Sequence, residues 1–260
     1  MKTVLFCGGQ GMRMREYSDR IPKPMVPIGV RPILWHVMRY YAHYGHTDFV
    51  LCLGYQGDKI KDYFLSYREE MSNDFVLTEG GGVKLLNRDI ENWRISFVDT
   101  GLHSNVGTRL QAVESFVEND DCFLANYADG LSNVPIDDVI ARFKASGKAC
   151  AFVSVRPSQS FHVVDLDDDG TVRGIEAAGR AGFWVNGGFF VMSPRVFEYM
   201  EPGEELVEEP FARMIEAGDL LAYPYEGFWT GMDTFKDREC LDNLHSSGEA
   251  PWELWRNGRT

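Results

Sequence analysis

The sequence is short of positive charge, of cysteine and of long apolar runs, and each shortage closes off a class of function. Lys and Arg number 26 against 39 Asp and Glu, a formal net charge of −13. A protein that grips nucleic acid without regard to sequence needs basic surface to neutralise phosphates, so no nucleic-acid partner is expected. The five cysteines (Cys7, Cys52, Cys122, Cys150, Cys240) are odd in number, scattered, and lack any paired metal spacing. Four lie in or beside apolar runs, which reads as small buried thiols rather than disulfides or ligands. The early apolar run, Val4 to Cys7, is far too short for a signal peptide or a membrane span, and the expectation is a cytoplasmic chain with no membrane partner. His36, His43, His46, His103, His162 and His245 form no HExxH or other ligand pair. There is no internal repeat, low-complexity tract or separating linker. The 260 residues, 44% hydrophobic and 25% charged, are those of a folded chain with a substantial core.

What is present is concentrated first between Val4 and Pro27. An apolar run breaks directly into Gly8-Gly9-Gln10-Gly11, followed by Arg13 and by Lys23 between Pro22 and Pro24. Glycines placed directly after a strand let the backbone turn tightly and aim several N–H groups at one point, an anion cradle. Arg13 adds bidentate donors and Lys23 a point charge, so the stretch reads as a phosphate site. It is not a P-loop, because no Gly-Lys-Ser/Thr closes it, and the glycine spacing is a poor dinucleotide fingerprint.

The pattern that follows is α/β. Ile33, Leu34, Val37, Met38 and Tyr41 recur at helical spacing and Gly45 supplies a stop; Phe49 to Leu53 is then a buried strand. Strand, helix and strand within about fifty residues make a βαβ unit of a mostly parallel sheet flanked by helices. Asp58 to Tyr67 and Arg109 to Val117 read as helices, Ile95 to Val98 and Cys122 to Asn126 as strands, while Ser72 to Trp93 carries no period and reads as an insertion. The second half turns β-rich: Ala151 to Val155, Val163 to Leu166 and Thr171 to Ile175 are short strands, the last two joined by the turn Asp167-Asp168-Asp169-Gly170. Gly187 to Met192 reads as a buried strand, and Pro194 to Met200 and Pro210 to Gly218 as helices. The expectation is one domain, residues 1–260, with a nucleotide-binding half (about 1–130) and an acceptor-binding half (about 131–260) on one sheet.

Two acidic residues complete the chemistry. Asp129 follows the apolar run Cys122 to Ala125, at the carboxyl end of a parallel strand, where such sheets bind ligands. Asp233 lies far downstream among glycines and aromatics in Gly227 to Thr234. Two carboxylates with phosphate oxygens and waters suit an octahedral Mg²⁺, and beside a phosphate cradle they point to metal-assisted phosphoryl or nucleotidyl transfer.

GGQGMR followed by IPKPMVPIG and RPILWHVM resembles the opening of the sugar-1-phosphate nucleotidyltransferases. LCLGYQGDKIKDYF, VDTG with VGTRL, YADG, VNGGFFV, GFWTGMDT and APWELW continue the resemblance over nearly the full chain, and in this order the set is similar to the branch that makes CDP-linked sugars from glucose 1-phosphate. The resemblance implies a Rossmann-like nucleotidyltransferase sheet with a small β-rich acceptor-binding portion, Mg²⁺ as cofactor, CTP and a small phosphorylated acceptor as partners, and a homo-oligomer. It implies that Gly8, Gly9, Gly11, Met12 and Arg13 hold the triphosphate with Lys23, and that Gly107 and Arg109 lie against the nucleotide. Arg13, Lys23 and Asp129 would be catalytic, Asp129 and Asp233 would hold the metal, and Asn186 and Gly187 would line the acceptor pocket. The departures fall mainly on the acceptor side. The family's Glu-Lys-Pro triplet gives way to Ala177-Ala178-Gly179 after Glu176, its Phe-Gly is Phe161-His162, and Met12 stands where a threonine is usual. His162 and Arg180 are the acceptor-side candidates in their place. UTP or dTTP in place of CTP, and a catalytically idle nucleotide-binding homologue with a regulatory role, are the alternatives.

Overall fold

The computed structural model describes residues 1–9, 21–157 and 161–256. Its centre is an eight-stranded sheet. Lys2–Phe6 pairs in parallel with Asp48–Leu53 on one side and with Phe123–Tyr127 on the other, and Arg94–Asp99 extends the parallel run beyond Asp48–Leu53. Phe190–Met192 is antiparallel to both Phe123–Tyr127 and Cys150–Val155, so the sheet is mixed but mostly parallel. Cys150–Val155 also pairs with Leu220–Tyr225 in parallel and with Val185–Asn186 antiparallel.

Alternation between two covered faces explains why the central strands carry near-continuous apolar runs. Leu5, Cys7, Phe49, Leu51 and Leu124 enter one hydrophobic cluster. Val4, Phe6, Val50, Cys52, Phe123 and Ala125 enter the other, on the opposite face. Helix Ile33–His43 lays Ile33, Leu34, Val37, Met38, Tyr40 and Tyr41 on the first cluster, and Ile136–Ser146 adds Val139, Ile140 and Phe143. Leu110, Val117, Phe211 and Met214 cover the second. Cys7, Cys52, Cys122 and Cys150 are buried free thiols and Cys240 is exposed. No helix among the described residues is long and apolar enough to cross a membrane.

The strand that begins the chain has neighbours leaving it in both directions, which makes its carboxyl end a topological switch point. Gly8 and Gly9 emerge there, and Asp129 follows the adjacent strand. The segment Ser72 to Trp93, without period in the sequence, forms a hairpin of Phe75–Leu77 against Val83–Leu85. It is anchored by Arg31, whose guanidinium stacks over the Tyr67 ring at 4.0 Å and donates to Ser72 Oγ and the Arg68 carbonyl. The helix expected over Arg109 to Val117 is two short helices, Val106–Gln111 and Glu114–Val117, and Pro194–Tyr199 is a 3₁₀ helix. His162–Leu166 and Val172–Ala177 form a hairpin outside the main sheet.

The carboxyl-terminal segment is pinned by a buried polar clasp. His36 Nε2 faces the Ile28 carbonyl at 3.1 Å and Nδ1 accepts from Trp252 Nε1–H at 3.3 Å. Glu253 pairs with His245 Nδ1 at 2.8 Å and with Arg256 Nε at 2.6 Å. Burial holds the His36 imidazolium down, to a pKa of about 4. His36, His245 and Glu253 lie close enough to hold an ion, but their facing atoms already have these partners, so the cluster reads as a staple.

Candidate active site

Four distant segments meet at the switch point. Lys23 opens the 3₁₀ turn Lys23–Met25, with Pro22 extended before it (φ −68°, ψ 151°) and Pro24 buried within it. Two prolines restrict the backbone on either side of one lysine, so a flexible side chain springs from a stiff base. Its ammonium lies 2.5 Å from Asp129 Oδ2 and 2.8 Å from Asp233 Oδ1. Burial pulls the ammonium pKa down, but the charge of Asp129 and the hydrogen bonds to Asp129 and Asp233 outweigh it, and the net direction is upward. Lys23 is therefore a fixed positive charge.

Sequence reading named both aspartates but not how they meet. A two-stranded ribbon does it: Trp229–Gly231 runs antiparallel to Gly130–Ser132, pairing Gly231 with Gly130, and the Met232 N–H donates to the Asp129 carbonyl at 2.9 Å. Asp233 then sits just before helix Phe235–Ser246, whose capping box of Thr234 and Asp237 fixes the entry; Asp237 Oδ2 accepts from the Asp233 N–H at 3.1 Å. Carboxylate oxygens that converge on one ammonium also suit a hard divalent cation, which takes oxygen donors.

Above this cluster is a cavity of about 220 Å³, lined by Gly8, Gly9, Lys23, Asn105, Tyr127, Asp129 and Glu205 among others. Arg109 borders it with its guanidinium turned into the protein. Its Nη1 donates to the carbonyls of Leu53 and Gly101, each at 3.0 Å, and to Thr100 Oγ1 at 2.7 Å; its Nη2 donates to the Gly8 carbonyl at 3.0 Å. This strap accounts for Gly8 and Gly54. A Cβ on Gly8 would lie 2.1 Å from the guanidinium carbon, and one on Gly54 2.8 Å from Nη1. Gly107 has a similar cause, since a Cβ there would meet the Glu204 carbonyl at 2.2 Å. Arg109 and Gly107 thus hold walls of the cavity, a structural contribution that the expected nucleotide contact did not include. Gly9 borders the cavity, and no atom of the described residues lies within 4 Å of its missing Cβ.

Neither Asn186 nor Gly187 is among the residues lining the cavity; Asn186 touches it through Tyr127, and Gly187 packs on Trp229. Asn186 Nδ2 donates to the Tyr127 hydroxyl at 3.3 Å and its Oδ1 accepts from the Gly188 N–H; the Gly187 carbonyl accepts from Trp229 Nε1–H at 2.8 Å. The turn after them holds Gly188 at φ +76° and Phe189 at φ +49°, a region that residues with a Cβ avoid. Asn126 Oδ1 accepts the Phe189 N–H at 2.9 Å, and the Phe189 ring packs on Tyr40 at 5.3 Å between centroids. The strand expected from Gly187 therefore starts only at Phe190. His162 and Arg180 are exposed, on the separate hairpin and the turn after it, and neither is among the residues lining the cavity. Gly11, Met12 and Arg13 lie outside the described residues. Sequence reading missed Tyr127 and Glu205; Tyr127 is signalled by its place at the end of the strand before Asp129, whereas nothing marks Glu205 among the acids from Glu201 to Glu209.

The family model described as nucleotidyl transferase matches residues 2–237. The chain is 35% identical over 257 residues to a probable glucose-1-phosphate cytidylyltransferase of Bacillus subtilis, covering 98% of this chain and 100% of that one. It is 37% identical, with the same coverage, to the glucose-1-phosphate cytidylyltransferase of Salmonella typhi. Among solved structures, a putative glucose-1-phosphate thymidylyltransferase from Bacillus anthracis superposes with a TM-score of 0.68 at 18% identity, covering 94% of each chain. A UDP-glucose pyrophosphorylase bound to UDP-glucose gives 0.70 at 14% identity, covering 95% of this chain and 98% of that one; these two likenesses bear on the fold.

Proposed function

The chain belongs to the nucleotidyl transferase family and is an enzyme of nucleotidyl transfer, and from that premise we propose that it joins CTP to a sugar 1-phosphate, glucose 1-phosphate first among them, with release of pyrophosphate. The observation that carries the reading is Lys23 held between Asp129 and Asp233 on the floor of the glycine-walled cavity. In the reaction a phosphate oxygen of the acceptor forms a bond to the α-phosphorus of CTP while the bond from that phosphorus to the bridging oxygen breaks, and pyrophosphate leaves. No protein nucleophile is needed. The work of the protein is positioning and charge stabilisation. Lys23 offsets the charge that builds on the α-phosphoryl oxygens, and the N–H groups of Gly8 and Gly9 are assigned to the triphosphate, as are Gly11, Met12 and Arg13. Arg109 and Gly107 keep the loop and the opposite wall in place.

Enzymes of this family generally use a divalent metal; here Asp129 and Asp233 would hold Mg²⁺, which when bound supplies electrostatic stabilisation to the triphosphate. Asn186, Gly187, His162 and Arg180 are assigned to the acceptor side, in the half of the chain after about residue 130. A cytoplasmic homo-oligomer completes the reading; exposed Phe75, Leu77 and Val83 on the inserted hairpin are apolar surface of the kind subunits cover. The test is pyrophosphate release from the purified chain with Mg²⁺, CTP and a panel of sugar 1-phosphates. Release with CTP and glucose 1-phosphate is expected; no release with any acceptor, from protein that CTP stabilises against heat, would overturn it.

A further inference from the structure

Glu205 is a carboxylate in a cavity otherwise suited to phosphate. It lines the same space as Gly8, Gly9, Lys23 and Asp129, on the wall that also carries Ser104, Asn105 and Val106. Its position is fixed from several sides. Oε1 accepts the Leu206 N–H at 3.1 Å and Oε2 the Val106 N–H at 3.4 Å. The backbone on either side is clamped: the Glu204 carbonyl rests on the bare Cα of Gly107, and Asn105 Nδ2 donates to the Gly203 carbonyl at 2.8 Å. The carboxylate is thus half-buried and held, with acceptor capacity beyond its two backbone donors.

A triphosphate repels it. The glycine N–H groups and Lys23 take the phosphates, which leaves Glu205 to the uncharged part of the ligand, with Phe6 and Tyr127 lining the space beside it. Among pyrimidines, cytosine presents a 4-amino donor that a carboxylate accepts, whereas uracil and thymine present a carbonyl oxygen at that position, which a carboxylate repels. Resting on the cytidylyltransferase reading above, we propose that Glu205 is a specificity-determining residue that selects the cytosine base by accepting its 4-amino group. The selection combines a gained hydrogen bond for cytosine with repulsion of the uracil carbonyl, so attraction and rejection come from one group.

The experiment compares kcat/KM for CTP and UTP, with glucose 1-phosphate and Mg²⁺, in the unaltered enzyme and in Glu205→Gln. The amide accepts from the one base and donates to the other. The CTP-to-UTP ratio is expected to fall by about tenfold to a hundredfold in a variant whose melting temperature is unchanged. An unchanged ratio, a loss shared equally by both triphosphates (as a ribose contact would give), or a change confined to the acceptor KM would each overturn the proposal. If Glu205→Gln does not fold, the unaltered enzyme with pyrimidin-2-one riboside triphosphate, which lacks the 4-amino group, decides. Its KM is expected to exceed that of CTP by about tenfold, and an equal KM is the contrary result. Thermal stabilisation by CTP against UTP separates this proposal from the reaction itself: base-selective binding without turnover removes the reaction and leaves Glu205 as the reader.

Discussion

The cluster at Lys23 and the hairpin of His162–Leu166 with Val172–Ala177 are built in opposite ways. Lys23, Asp129 and Asp233 come from three distant segments and are joined through Lys23, next to the end of a strand, Phe123–Tyr127, that packs on both faces. The hairpin is one local turn of chain outside the main sheet, with Val164, Leu166, Val172 and Ile175 exposed and His162 and Arg180 in solvent. The first is held by long-range contacts, and loss of Lys23 takes an ion-pair partner from both carboxylates; the second changes at little cost to the fold. The departures that the resemblance points to, at Phe161-His162 and Ala177-Ala178-Gly179, fall in and beside the second. On the proposed reading the chemistry of transfer is separated from choice of acceptor, and that separation predicts where substitutions should matter.

The largest effect should come from Lys23→Met, which removes the charge between two carboxylates. Turnover should fall by about a thousandfold, measured as pyrophosphate release at saturating CTP. Loss of only a few-fold would place the charge stabilisation elsewhere. Arg109→Lys comes next. One ammonium cannot reach four acceptors in place of a guanidinium fork, so the Gly8 carbonyl loses its anchor. The KM for CTP should rise by about tenfold to a hundredfold with the acceptor KM unmoved; equal changes in both would make Arg109 a general stabiliser. His162→Ala combined with Arg180→Ala should leave kcat at saturating glucose 1-phosphate within about threefold while raising the KM for that acceptor, as expected of acceptor-side groups outside the transfer centre. A large loss would join the hairpin to the reaction centre and break the contrast.

A fourth expectation concerns the support behind the rigid half. His36 is neutral when folded, with a pKa of about 4, whereas the unfolded chain binds that proton near pH 6.5. A depressed folded pKa contributes stability that is present above about pH 6.5 and is lost as pH falls toward about 4. The melting temperature should drop through that window, and His36→Gln should flatten the slope. An equally steep slope in the variant would assign it to other groups.

The contrast also explains what was legible in the sequence. The parallel strands and helix Ile33–His43 were readable because burial on both faces, or on one helical face, leaves continuous or periodic apolar residues. The glycine turn and Asp129 were readable because each directly follows such a strand. The meeting of Asp129 with Asp233 was readable only as chemistry, since the pairing of Gly231 with Gly130 spans about a hundred residues and leaves no local signal. Arg109 entered the expected site through the resemblance of VGTRL, because sequence alone does not distinguish an arginine that faces a phosphate from one that faces four backbone and hydroxyl oxygens. Helices Ile136–Ser146 and Phe235–Ser246 and the strand Leu220–Tyr225 were passed over in the second half, where short β-type runs dominated the pattern.

The central claim is that Asp129 and Asp233 form one cation site with Lys23 at the point of transfer. Calorimetry of CTP binding with and without Mg²⁺, on the unaltered chain and on Asp129→Asn, tests it most directly. Mg²⁺ should tighten CTP binding to the unaltered chain by about tenfold or more, the scale of one charge-assisted contact, and should leave binding to Asp129→Asn unchanged. The same Mg²⁺ enhancement in both proteins would contradict the account.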